Sequence, residues 1–131
     1  LERSVTAILN EIGFDEPSRF NLKVDALSHA HRQWVELGML LATNPILALL
    51  DEPAAGMTRD EMLKTIKLIR RLNEFATIIV VEHDLEFISL LAKRVTVLHR
   101  GTILLEDSME NVARSPLVRE IYLGKQWQAK Q

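Results

Sequence analysis

Residues 46–53 read ILALLDEP, and residues 77–84 read TIIVVEHD. Each is an unbroken apolar run that ends in charged groups. Ile46–Leu50 and Thr77–Val81 are too short for buried helices and rich enough in aliphatic residues for strands. A continuous run, rather than an alternating one, predicts a strand buried on both faces. One predicted helix separates the two. Helices alternating with such strands predict an α/β fold with a parallel sheet. In open α/β sheets ligands gather beyond the carboxyl ends of the strands, where Asp51, Glu52 and His83 stand.

The rest of the chain supports this frame. Val5, Ile8, Leu9 and Ile12 recur at helical spacing, with Gly13 as a stop. Residues 14–26 read as irregular and polar. Ser28 is placed to cap a helix from about His29 to Thr43, which Asn44-Pro45 ends. Thr58 with Glu61 forms a capping-box pattern, opening a helix to about Glu74 that buries Met62, Ile66 and Ile69. Arg70 and Arg71 suit the dipole at its last turns. Asp84 caps a short helix, Leu85 to Lys93. Val95–His99 and Thr102–Leu105 flank Arg100-Gly101, a hairpin turn. Ser108 starts a helix to about Arg114. Leu117–Leu123 reads as helical up to Gly124, and residues 125–131 form a polar tail.

Bulk properties narrow the function. The 131 residues suit one domain with a real core. A net charge of -2 gives no reason to expect nucleic acid or an acidic membrane surface as partner. With no cysteine, disulfides and thiolate metal sites are excluded. No apolar stretch is long enough to span a bilayer. The chain begins at Leu1 rather than Met, and LERSVTAILNEIGF reads as mid-helix. The expectation is a start cut from something longer.

The strand ends carry the chemistry. A carboxylate directly after a buried strand is rigidly aimed and suits a hydrated magnesium ion, which keeps waters and takes one or two carboxylates. A second carboxylate, one residue on, points elsewhere and suits polarising water. A His at the next strand end suits a terminal phosphate. Either tripeptide alone reads better as a polar strand exit. Two on successive strands shift the balance toward function. In LSHAHRQW, 27–34, a Ser at a helix start followed by backbone amides is an anion site or simply a cap. His29 and His31, two apart on a helix, do not face each other and make a poor metal pair. A Ser-His-Asp hydrolase of Ser28, His83 and Asp51 lacks the G-x-S-x-G elbow. A metal-dependent hydrolase using Asp51, Glu52 and His83 without ATP finds no metal-ligand spacing to support it.

Taken together, these pieces resemble the ATP-binding subunit of an ABC transporter. LSHAH resembles the LSGGQ signature and ILALLDEP the Walker B strand. AAGM, residues 54–57, takes the D-loop place, and His83 that of the switch histidine. VTVLHRGTILLEDS and PLVREIYLG fit too, so the resemblance covers nearly the whole chain as the C-terminal half of such a subunit. AAGM, Gln33-Trp34, VEHDLEFI and IYLG resemble the branched-chain amino-acid importer branch. The urea or short-chain amide type, in which a His after Leu-Ser is familiar, is the nearest likeness.

The resemblance implies a partial RecA-like ABC ATPase core with a C-terminal β-hairpin and helices. Residues 1–27 would be a remnant of the helical subdomain that touches the membrane partner, and residues 28–124 the C-terminal part of the core. Asp51 would hold magnesium through water, Glu52 would be the catalytic base and His83 would contact the γ-phosphate. Ser28, with His29, Ala30 and His31, would contact ATP held by the opposite subunit. Residues 54–57 would line the dimer interface. Expected partners are a second ATPase subunit, identical or not, and transmembrane permease subunits. The expected location is cytoplasmic, the parent lying on the cytoplasmic face of the inner membrane.

The sequence departs from the family pattern at Ala30 and His31, which replace a Gly and the Gln of the signature, and at Met57, where many relatives have Asp. Ala30 adds a Cβ where Gly would permit close approach to a phosphate. None of the glycines at 13, 38, 56, 101 and 124 fits G-x-x-x-x-G-K-[ST], the phosphate loop. ATP and magnesium are therefore expected of the parent and no tight nucleotide binding of this chain. The alternative expectation is a non-catalytic module that dimerises or binds a partner through an exposed sheet edge.

Overall fold

A computed structural model describes residues 5–14 and 22–123. The polar tail 125–131, the Gly124 stop and most of the irregular stretch 14–26 lie outside the described residues. The chain divides into two units, the first running through Phe87 and the second from Ile88.

In the first unit, α1 (Val5–Ile12) buries Ile8 and Ile12, and Gly13 leaves it at φ 89°. A single 3-10 turn, Val24–Ala26, precedes α2 (His29–Thr43). Asn44, in the left-handed region at φ 50°, ends α2 just before the proline. The two helices approach closely at Gly38. A Cβ there would sit 3.1 Å from Ile12 Cδ1 and 3.4 Å from Ile8 Cγ2. Strand β1 (Leu47–Asp51) leads into α3 (Arg59–Leu72), which returns to β2 (Thr77–Val81). The Thr58 capping box forms in full: its side chain accepts from the Glu61 N–H, and the Glu61 carboxylate accepts from the Thr58 N–H at 2.8 Å. Helix α3 carries the core, with Leu72 fully buried and Ile69 and Ile66 nearly so.

The two strands pair in parallel, Leu47 opposite Thr77 and Asp51 opposite Val81. This is the expected parallel sheet, but the expectation of burial on both faces is corrected. Ala48, Leu50, Ile78 and Val80 lie on the covered face. On the other, Leu47, Leu49, Ile79 and Val81 are 47%, 70%, 52% and 61% exposed. The physical reason is that one crossover helix covers one face, and among the described residues nothing covers the second. An apolar run reports residue type, not what lies over it.

Helix α4 (Leu85–Leu91) follows β2 and ends short of Lys93. Asp84 caps it, its Oδ1 accepting the Phe87 N–H at 3.0 Å. In the second unit, β3 (Val95–His99) and β4 (Thr102–Asp107) form an antiparallel hairpin. Arg100 and Gly101, at φ 47° and 78°, supply the two left-handed residues that a type I′ turn requires. Arg94 pairs with Glu106 across it. Helix α5 (Met109–Arg114) starts at Ser108, whose hydroxyl accepts the Asn111 N–H. A short turn, α6 (Pro116–Val118), begins at a Ser115 cap and runs into a wide π-type turn, Arg119–Leu123.

Candidate functional site

Parallel pairing sets the exits of β1 and β2 side by side. The ladder extends one residue past Asp51, because the Glu52 N–H donates to the Val81 carbonyl at 2.9 Å. The chain then turns sharply, with Glu52 itself left-handed at φ 44°. Only a few per cent of non-glycine residues sit there, at a cost of about 1 kcal/mol. The turn swings the Glu52 carboxylate toward the neighbouring strand exit. Its Oε1 lies 3.2 Å from His83 Nδ1. Both side chains are more than half exposed, so the contact is a geometric device rather than a source of stability.

Behind this pair sits a carboxylate to which the sequence reading gave no role. The Glu82 side chain is 3% exposed. Its Oε2 accepts the N–H of His83 at 2.9 Å and of Asp84 at 3.3 Å. Its Oε1 accepts the N–H of Ala54 at 3.3 Å. One buried side chain thus joins the loop after β1 to the loop after β2. Only its place in the polar Glu82-His83-Asp84 exit hinted at this.

Asp51 ends β1 on the exposed face, beside Val81. Among the described residues no three His, Cys, Asp or Glu side chains converge as a metal cage. Asp51 thus offers a single carboxylate at a strand end, a donor of the kind a hydrated magnesium ion uses, and not an all-protein cage. The possible hydrolase triad of Ser28, His83 and Asp51 has no contact to support it; His83 instead meets Glu52.

At the start of α2, the Ser28 hydroxyl accepts the His31 N–H at 3.2 Å and lies 2.6 Å from His31 Nδ1. The His31 ring is wedged edge-on between Phe14 and Trp34, with centroids 5.6 and 5.0 Å away. Ser28 and His29 are exposed, whereas Ala30 is only 4% exposed. The Ala30 methyl thus packs inward and does not stand at the helix mouth. What Ala30 has to offer an anion is its backbone N–H, one of the first-turn donors that a helix leaves without an internal carbonyl.

Trp34 holds this helix start in place. Its indole donates to Thr65 Oγ1 at 2.9 Å, in the core, and Lys64 Nζ lies 3.8 Å over its ring. Thr65 is fully buried, and its single hydroxyl proton goes to the Glu61 carbonyl at 3.0 Å, with Met57 Sδ also at 3.1 Å. The Thr58 N–H and hydroxyl hold the Glu61 carboxyl below the usual glutamate range, with a smaller contribution from His31.

A 127-residue stretch covering 95% of the chain is 31% identical to the high-affinity branched-chain amino acid transport ATP-binding protein LivG of Escherichia coli, and covers 49% of it. The chain's homologues are ABC transporter ATP-binding proteins. The lipopolysaccharide export system ATP-binding protein LptB of Acidithiobacillus ferridurans is 34% identical over 107 residues, 81% of this chain and 44% of that one. The fold matches the crystal structure of MJ1267, an ATP-binding cassette of an ABC transporter, in its ADP conformation. That match has a TM-score of 0.78 and 26% identity, over 92% of this chain and 49% of the cassette. The chain spans about half the length of these relatives. No protein-family model matches it. No helix among the described residues is long and apolar enough to cross a membrane.

Proposed function

We propose that this chain corresponds to the C-terminal half of an ABC-importer ATPase subunit and supplies half of a composite nucleotide site. One observation carries the reading: neighbouring parallel strands end in Asp51-Glu52 and His83, with Glu52 3.2 Å from His83. In this reading residues 1–27 belong to the helical subdomain, 28–124 to the ATPase core and 125–131 to the tail. The LivG likeness supports import of branched-chain amino acids, or of urea or amides, by the full-length parent. That parent would pair with a second ATPase subunit and permease subunits on the cytoplasmic face of the inner membrane.

The roles follow from position. Asp51 would hold a magnesium ion through water, and that ion would supply charge to shield the phosphates. The Glu52 carboxylate, aimed by its left-handed backbone, orients water and accepts its proton. His83 has two ring nitrogens with different tasks. A neutral His83 that presents Nδ1–H to Glu52 keeps Nε2 as an acceptor; it donates to a γ-phosphate oxygen only when it carries a second proton. Ser28, the backbone of His29 and Ala30, and His31 face ATP held by the opposite subunit. Residues 54–57 lie at that interface. Alone, the chain binds ATP weakly because no phosphate loop accompanies these groups.

The test is a mixture with a full-length cassette that carries its own phosphate loop. With Mg-ATP present, backbone amide resonances of residues 28–32 should shift, and Ser28→Glu should abolish the shift. Identical spectra with and without Mg-ATP would reject the trans role.

The bare face of Leu47, Leu49, Ile79 and Val81 favours a second reading, a non-catalytic module that dimerises or binds a partner there. Light scattering showing a monomer at 100-fold varied concentration, with no hydrophobic-dye binding, would remove it.

A further inference from the structure

We propose that Glu82 is the positioning residue that couples the 53–57 loop to the Glu52–His83 pair. The mechanistic meaning of this coupling rests on the half-site reading above; the contacts themselves do not.

The geometry is specific to a carboxylate. Glu82 reaches two loops at once: Ala54, 28 residues away along the chain, through Oε1, and His83 and Asp84 through Oε2. Its three hydrogen bonds all come from backbone N–H donors, so the group between them must accept on both oxygens, and Oε2 also lies 3.8 Å from His83 Nδ1. A carboxylate accepts on both, and a carboxamide on only one. Its side chain is 3% exposed, so no water replaces a lost acceptor cheaply. Exposed partners surround it: Glu52 and His83 are held by turns whose amides Glu82 pins, not by burial. The Glu52 N–H bond to Val81 anchors the start of the first loop, and the Asp84 cap anchors the end of the second. Glu82 is the link between those anchors. If residues 54–57 shift at an interface, the Ala54 N–H pulls on the same carboxylate that fixes the His83 backbone.

Glutamine at 82 keeps the shape and turns one oxygen into an N–H₂. Whichever way it flips, a donor meets a donor, and one loop is released. Aspartate keeps the charge but is shorter by a methylene, so it spans one loop and not both.

The experiment is amide exchange and side-chain NMR on the unliganded chain, with Glu82→Gln and Glu82→Asp. In Glu82→Gln the Ala54 amide should exchange at least about tenfold faster. At the same pH, nuclear Overhauser contacts between the His83 ring and the Glu52 side chain should weaken, because the pair has lost its alignment; removing the charge 3.8 Å from Nδ1 does not by itself change this distance readout. Glu82→Asp should release Ala54 while keeping His83 and Asp84 protected. Unchanged contacts between the His83 ring and the Glu52 side chain in a Glu82→Gln protein whose Ala54 is released would overturn the coupling. Unchanged Ala54 exchange would overturn the bond itself. Should Glu82→Gln fail to fold, the unsubstituted chain decides: a through-bond coupling from the Ala54 amide nitrogen to the Glu82 carboxyl carbon is expected, and its absence overturns the proposal. No nucleotide enters these measurements, so failure of ATP binding and failure of this link are separately visible.

Discussion

Replacing Thr65 with Val isolates the bond that ties α2 to α3. Valine has nearly the same shape, so no cavity opens. What changes is that the buried Trp34 indole N–H loses its acceptor, 2.9 Å away. Trp34 is 6% exposed and Thr65 fully buried, so water does not step in. A buried donor left unsatisfied costs about 1–3 kcal/mol. The other lost bond is minor, because the Glu61 carbonyl already accepts within its helix, and the new methyl gains contact with Met57. The net expectation is about 1–2 kcal/mol, or roughly a 5- to 30-fold fall in the folding equilibrium. Urea unfolding followed by far-UV circular dichroism measures it, with an unchanged m-value as the sign of an unaltered transition. The decisive arm is the same substitution in a Trp34→Phe background. There the donor is gone, and Thr65→Val should cost no more than about 0.5 kcal/mol, giving a coupling of about 1 kcal/mol. An equal cost in both backgrounds would refute the bond as the link.

Three further outcomes follow from local geometry. Because Glu52 sits at φ 44°, Glu52→Gly should be about 1 kcal/mol more stable to urea than Glu52→Ala, although both remove the carboxylate. Leu72→Ala, at a fully buried position, should cost about 2–5 kcal/mol by the same assay. Glu61 is held below its ordinary pKa, so the unfolded chain binds its proton more readily. Its contribution is therefore present at neutral pH and lost as pH falls below the ordinary glutamate range. Stability profiles of the parent chain and Glu61→Gln should converge at acid pH and separate above it; a constant gap would contradict the assignment.

Features that depend on a few neighbouring residues were legible in the sequence. Ser28, Thr58 with Glu61, Asp84 and Ser108 all cap the helices they were expected to start, since a cap needs only the next turn. The Arg100-Gly101 hairpin was legible for the same reason. The strand exits were legible too, because an apolar run ending in charge marks both the strand and its end. Long-range facts were not. The role of Glu82 depends on an amide 28 residues away, and that of Trp34 on a hydroxyl 31 residues away. Exposure of Leu49 and Val81 depends on what covers the sheet, which no local pattern encodes. The inward turn of the Ala30 methyl depends on where α2 lands in the core.

Calorimetric titration of the chain alone with Mg-ATP tests the half-site reading most directly. The expected result is binding weaker than about 1 mM, or roughly -4 kcal/mol. Saturable micromolar binding at one site per chain would contradict it, because Asp51, Glu52 and His83 would then be acting on phosphates that this chain holds for itself.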